Sequence, residues 1–206
     1  MLLQGTSGPL IVSDGATPNS GIRLGRLGEG IISELHGRYY ETAYRKNMFF
    51  AATQAGQTTT VGLATTYVGL VLSNPLGSQV NLVPNKVSFG WGVIAAAVDT
   101  VGLAVGFSGT TNVTHTTPVT PRSTYFGIGP TPIGLTDTSA TLPTAPVYAM
   151  FFGNTPTATT NPNGGVFDLE GSIIIPPGGY ILTATTAASA AAAFFASISW
   201  EEIQIS

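Results

Sequence analysis

Few residues in this chain have the type and spacing to do chemistry. It holds two histidines, His36 and His115, and no cysteine, so disulfides, thiolate metal sites and Cys nucleophiles are excluded. His115 lies in Thr114-His115-Thr116, where an imidazole could act as general base towards a nearby hydroxyl. Neither histidine has a neighbour at metal-ligand spacing, and a histidine in a Thr-rich run reads first as polar loop surface. Asp168 and Glu170 are two apart; on a strand both carboxylates leave one face and could hold a cation or divide acid and base roles, but they read first as a solvated strand face. Glu201 and Glu202 are adjacent and would point to opposite sides of a regular strand, which marks a bulge or a rim. There is no G-x-S-x-G elbow and no P-loop. The glycines between Gly25 and Gly30 imitate a nucleotide loop only superficially, because no strand precedes them and no Lys-Ser/Thr pair follows. The sequence therefore implies no catalytic residue, no cofactor and no metal, and the chain is not expected to be an enzyme.

Contact chemistry is better represented. Arg38, Tyr39, Tyr40, Tyr44, Arg45 and Lys46 form the one cluster that is both aromatic and basic, and Tyr and Arg are the residues that most often anchor interfaces. The same stretch also suits an edge strand with ordinary cross-strand packing. Arg23 and Arg26 stand on a Gly-rich segment that fits a tether ordering on a partner. Partner-binding candidates are thus Arg23, Arg26, Arg38, Tyr40, Tyr44 and Arg45.

The elements that would position these groups follow from composition. Of 206 residues only 8% are charged, against roughly 25% in an average globular chain. Thr occurs 29 times, Gly 26 and Pro 14, favouring strands and turns over helices. Residues 1–50 hold nine of the seventeen charged side chains and residues 51–85 none. Such a surface stays soluble most readily when partners cover it. A net charge of −3 from seven thinly spread basic residues cannot make a phosphate-facing surface, which excludes nucleic acid as a partner. The first ten residues have no basic region and no long apolar run, so no secretory signal is expected. No window reads as a membrane span.

Residues 1–37, with Pro9 and Pro18, read as an extended arm holding at most one helical turn around Ile31, Ile32 and Leu35. Residues 38–206 read as an all-β sandwich, most plausibly a jelly roll. Val87, Phe89, Trp91 and Val93 alternate with polar or small neighbours as in a half-buried strand. Residues 67–72 and 147–152 are apolar on both parities and read as strands covered on both faces. Residues 108–145 read as a long loop with at most one short strand near 123–128. Residues 168–184 read as a hairpin turning at Pro176-Pro177-Gly178-Gly179. Residues 187–195 suit a strand or a small-residue loop equally. The parity change between Ile198, Trp200 and Ile203, Ile205 calls for a β-bulge at Glu201-Glu202.

Five stretches carry a resemblance: Tyr40-Glu41-Thr42-Ala43-Tyr44-Arg45-Lys46-Asn47-Met48-Phe49-Phe50 with the uncharged Thr/Gly run after it, Leu72-Ser73-Asn74-Pro75-Leu76-Gly77, Thr114-His115-Thr116-Thr117-Pro118, Ile173 through Tyr180, and Ser199-Trp200-Glu201-Glu202. Over residues 38–206 the chain resembles small structural proteins of tailed bacteriophages, jelly rolls that trimerise on the capsid surface or in fibre heads. The resemblance implies a decoration or cement protein made in the host cytoplasm. In the virion a homotrimer would sit on the major capsid protein, the arm with Arg23 and Arg26 lying on the shell. It brings no catalytic residues. The alternative it leaves open is a receptor-binding or fibre-tip domain whose residues 108–146 meet a host glycan, with Tyr125 and Phe126 as the aromatics. A polysaccharide hydrolase or lyase would need a carboxylate pair that the sequence does not display.

Overall fold

Alternating Val, Leu, Phe and Thr favour pleated, half-buried backbone, and in a computed structural model these runs pair into two antiparallel sheets packed face to face. The structure describes residues 38–60, 63–92, 99–154, 164–188 and 194–205. The chain divides into two compact units, residues 1–40 and 41–206. Only residues 38–40 of the first are described; the expected arm, its helical turn, Arg23 and Arg26 lie outside the described residues.

In chain order the elements are α1 (Tyr40–Tyr44), β1 (Met48–Ala52), β2 (Thr66–Ser73), β3 (Val80–Trp91), β4 (Thr100–Phe107), β5 (Thr114–Val119), β6 (Arg122–Ser123), β7 (Leu135–Thr141), β8 (Val147–Asn154), β9 (Gly165–Asp168), β10 (Gly179–Thr185) and β11 (Phe194–Gln204). One sheet runs β6-β1-β11-β3-β9 and the other β5-β7-β2-β10-β4-β8. With β5, β6 and β7 set aside, the remaining eight strands fall in the orders first-eighth-third-sixth and second-seventh-fourth-fifth, which is the strand order of a jelly roll. The other three strands are an insertion between β4 and β8 that widens each sheet beside β1 and β2.

The core lies between the sheets, where Leu70, Leu72, Val87, Leu103, Ile181, Phe194 and Trp200 are buried. Each such side chain contributes about 1.5–3 kcal/mol of transfer free energy. At the β8/β9 end Phe89 stacks on Phe152 and Phe167 at 6.2 and 5.8 Å. A second apolar layer covers the outer face of the wider sheet: Tyr67, Val71, Ala104, Tyr180 and Leu182 lie under Leu63, Val113, Leu142 and Tyr148. This layer explains why β2 is apolar on both parities. The alternation read for Val87, Phe89 and Trp91 holds, and β3 starts earlier than that pattern showed, at Val80; Val93 lies outside the described residues.

Four expectations need correction. Residues 147–152 form a strand, but β8 is a sheet edge, with Val147, Ala149 and Phe151 exposed and Tyr148, Met150 and Phe152 only half-buried. The long loop contains three strands, of which β7 pairs with both β2 and β5. It escaped notice because its residues are Thr, Ser and Asp rather than apolar. No hairpin joins β9 to β10: β9 pairs with β3, β10 with β2 and β4, and the proline-glycine turn carries the chain from one sheet to the other. That turn is type II, with the Gly179 amide donating to the Pro176 carbonyl at 2.8 Å, Pro177 second, and Gly178 third at φ 86°. β11 does not change parity: Phe194, Ala196, Ile198 and Trp200 are buried while Ile203 and Ile205 are exposed, and the bulge falls beside Ser199/Trp200 with its extra residue, Asn85, on β3. Of the stretch 187–195, Ala187 and Ala188 are non-strand, 189–193 lie outside the described residues, and β11 begins at Phe194.

Candidate functional site

A sheet edge is a row of unpaired amides and carbonyls, and natural sheets guard it with short strands, prolines, charges or bulges. Brevity, proline or charge guards three of the four edges here, and the fourth has only bulges. β6 is two residues long. β9 has four residues and ends on Asp168. β5 carries Pro118. β8 is different: eight residues without proline or charge, paired among the described residues with β4 alone. Val147 is 60% exposed and Phe151 59%, and the Phe151 ring lies 4.9 Å from that of Tyr148. Phe107, closing the neighbouring strand β4, is also exposed. Two register shifts interrupt the β4–β8 pairing. β8 still runs close to its neighbour, because a Cβ at Gly102 would come within 2.7 Å of the Met150 carbonyl oxygen. The face that results is apolar and uncharged.

The basic-aromatic cluster is not an edge strand. Its centre is α1, a single helical turn closed by a Schellman pair of bonds, Lys46 N–H to Ala43 O at 3.0 Å and Asn47 N–H to Thr42 O at 3.2 Å. Lys46 takes the left-handed position at φ 64°, where glycine is usual. The Arg38 guanidinium lies 5.6 Å from the centre of the Tyr39 ring. Tyr40 and Tyr44 are exposed, as is Arg45; Arg38 and Tyr40 belong to the first unit, Tyr44 and Arg45 to the second. The Lys46 ammonium lies 5.2 Å from the centre of the Tyr125 ring, so Tyr125 already has a cation–π partner. Phe126 is exposed and meets Phe50 edge-on at 5.8 Å.

His115 is more than loop surface. Its Nδ1 lies 2.5 Å from Oδ2 of Asp137, a side chain with no exposure. The other Asp137 oxygen, Oδ1, is buried without a hydrogen-bond partner. Asp99, likewise buried, accepts from the amides of Thr100 and Ala187 at 2.7 and 2.8 Å and from the Thr186 hydroxyl. Asp137 thus depends on one imidazole. Sequence reasoning missed Asp137 because it lies in Thr136-Asp137-Thr138, read as loop; only the β7 pairing shows that it shares a sheet face with His115. Asp168 and Glu170 do not share a strand face: Glu170 adopts φ 52° in a turn, where its amide donates to Asp168 Oδ1 at 3.0 Å. Glu202 accepts from the amides of Ile133 and Gly134 at 2.9 and 2.8 Å and from Trp200 Nε1 at 3.2 Å, tying the β6–β7 connection to β11. Burial pushes the Glu201 carboxyl above its ordinary pKa.

Among the described residues no three imidazole or carboxylate groups converge as a metal site. No helix there is long and apolar enough to cross a membrane. Comparison with family models, with curated proteins and with solved structures finds no match to this chain.

Proposed function

We propose that this chain is a structural protein of a tailed-bacteriophage virion, a decoration or cement protein that binds the major capsid protein as a homotrimer and stabilises the shell. In this reading β8 lies in the contact between subunits, and the N-terminal arm, with Arg23 and Arg26, lies on the capsid. The exposed Tyr44 and Arg45 belong to a surface that meets a partner. The β8 edge carries the reading, because a long, uncharged edge with exposed Val and Phe is a surface that a partner can cover. The low charge of the chain supports it, as does the jelly roll of the resembled virion proteins. A shell offers many equivalent sites, so a modest contact per subunit suffices when three subunits engage together.

The test is co-sedimentation of the full chain with purified empty capsids. Binding that saturates at a fixed stoichiometry and protects the capsids against heat supports a cement protein. Protein left entirely in the supernatant at every ratio contradicts it.

A further inference from the structure

The connection from β6 to β7, residues 124–134, carries the most exposed large apolar side chain among the described residues, Phe126 at 76%, with Ile128 at 67% two positions on. Its backbone is held at several points. The Thr124 amide and hydroxyl both donate to the Met48 carbonyl, at 2.9 and 3.0 Å. The Gly129 amide closes a turn onto the Tyr125 carbonyl at 3.1 Å, and a Cβ at Gly129 would come within 2.9 Å of that same oxygen, so the loop folds tightly back on its stem. At the far end Glu202 takes the amides of Ile133 and Gly134. Gly127, between the two apolar side chains, sits at φ 88°, a conformation that glycine adopts without steric cost. The fold gains little from Phe126 and Ile128 themselves, since both stay mostly in water.

Charge stands beside this tip in a chain that has little of it. The second unit holds four basic residues, Arg45, Lys46, Lys86 and Arg122. Arg122, opposite Phe50 in the β1–β6 register, lines with Tyr125 and Phe126 a hollow of about 290 Å³ to which no described carboxylate contributes. Lys46 lies 5.2 Å from the centre of the Tyr125 ring, and Arg45 precedes it. Of the carboxylates on β11, Glu202 is taken up by the loop's own amides, and Glu201 borders a separate hollow with Lys46.

An aromatic side chain beside an arginine has the composition of an interface anchor, and a loop already held in one shape loses little entropy on docking. Such a rigid knob suits a preformed protein socket. A lipid surface holds a protein through a larger apolar face than two side chains. The socket needs an apolar floor for Phe126 and Ile128 and a negative group at its rim for Arg122.

We infer that the loop at 124–134 is the anchor by which this chain grips the major capsid protein, Phe126 and Ile128 entering an apolar socket whose rim bears a carboxylate facing Arg122. The inference rests on the capsid reading and deepens it, and it leaves β8 to the contact between subunits.

The experiment titrates purified empty capsids with the full chain as wild type, Phe126→Ser, Ile128→Ser and Arg122→Gln. Val166→Ser, at a residue 72% exposed on β9, is the control. The two apolar variants should weaken binding about tenfold or more. Arg122→Gln should weaken it about threefold and reduce its salt dependence, and Val166→Ser should bind as wild type does. Ile128→Ser serves if losing the Phe126–Phe50 contact disturbs the fold. Wild-type binding that Phe126→Ser and Ile128→Ser both match overturns the inference and leaves the capsid reading in place. Equal loss in Val166→Ser also overturns it, as does a lower mass by light scattering in the two apolar variants, which would make the loop a contact between subunits. Wild type that capsids leave in the supernatant overturns both readings, and its capture by phosphatidylglycerol vesicles instead would assign the loop to a membrane.

Discussion

Replacing His115 by alanine leaves the Asp137 carboxylate with neither oxygen bonded, in a position with no solvent exposure. A hydrogen bond to a charged group is worth about 1.5–3 kcal/mol. The His115 side chain is 31% exposed, so water enters the space it vacates and the loss falls towards the lower figure, about 2 kcal/mol. With a urea m-value of roughly 2 kcal/mol/M, the unfolding midpoint should drop by about 1 M. His115→Asn can still donate to Asp137 and should recover all but about 1 kcal/mol. The assay is urea unfolding at pH 7 followed by Trp200 and Trp91 fluorescence, at one fixed protein concentration because an oligomer's stability depends on it. A loss below about 0.5 kcal/mol for the alanine variant, or an asparagine variant as damaged as the alanine one, would refute the claim that Asp137 depends on this imidazole.

Glu202→Ala removes the acceptor of two amides and of the buried Trp200 indole, and should cost about 2–3 kcal/mol in the same assay. Glu201 has its carboxyl pKa raised by desolvation. Its ionised form therefore opposes folding above the unfolded-state pKa, and that opposition is relieved as pH falls through the folded-state value. Glu201→Gln should accordingly stabilise the protein at pH 7 by a few tenths of a kcal/mol, since the group is largely solvated, and the gain over wild type should vanish in acid. Gly178→Ala puts a Cβ 2.2 Å from the Ser108 carbonyl oxygen at φ 86°. It should lower thermal stability by more than about 2 kcal/mol, whereas Gly77→Ala, with φ 76° but open space around it, should lose only about 1.

The sandwich was legible because its core strands obey the period of two. Val87, Phe89 and Trp91 alternate, and the double-sided apolar run of β2 announced a strand with packing on both faces. What the sequence hid has identifiable causes. β7 buries Thr136, Asp137 and Thr138, and a polar strand held by neighbours on both sides has no hydrophobic signature. The turn at Pro176-Pro177-Gly178-Gly179 was found and its type is as such residues demand, but a local turn does not say whether the strands around it pair or part. β8 looked doubly buried because an apolar edge strand has the composition of a central one. His115 and Asp137 are 22 residues apart, and only the β5–β7 pairing brings them together.

Assembly through β8 is tested most directly by the solution mass from light scattering on size-exclusion eluate, for the wild type and for Phe151→Lys. Phe151 is 59% exposed in the isolated chain, so lysine leaves the fold intact. Covering the exposed part of such a ring contributes on the order of 3 kcal/mol per subunit, and a charge there guards the edge. The account predicts a wild-type mass three times the 21.1 kDa of the chain and a folded monomer for the variant. A monomeric wild type, or a trimer that Phe151→Lys leaves unchanged, would contradict it.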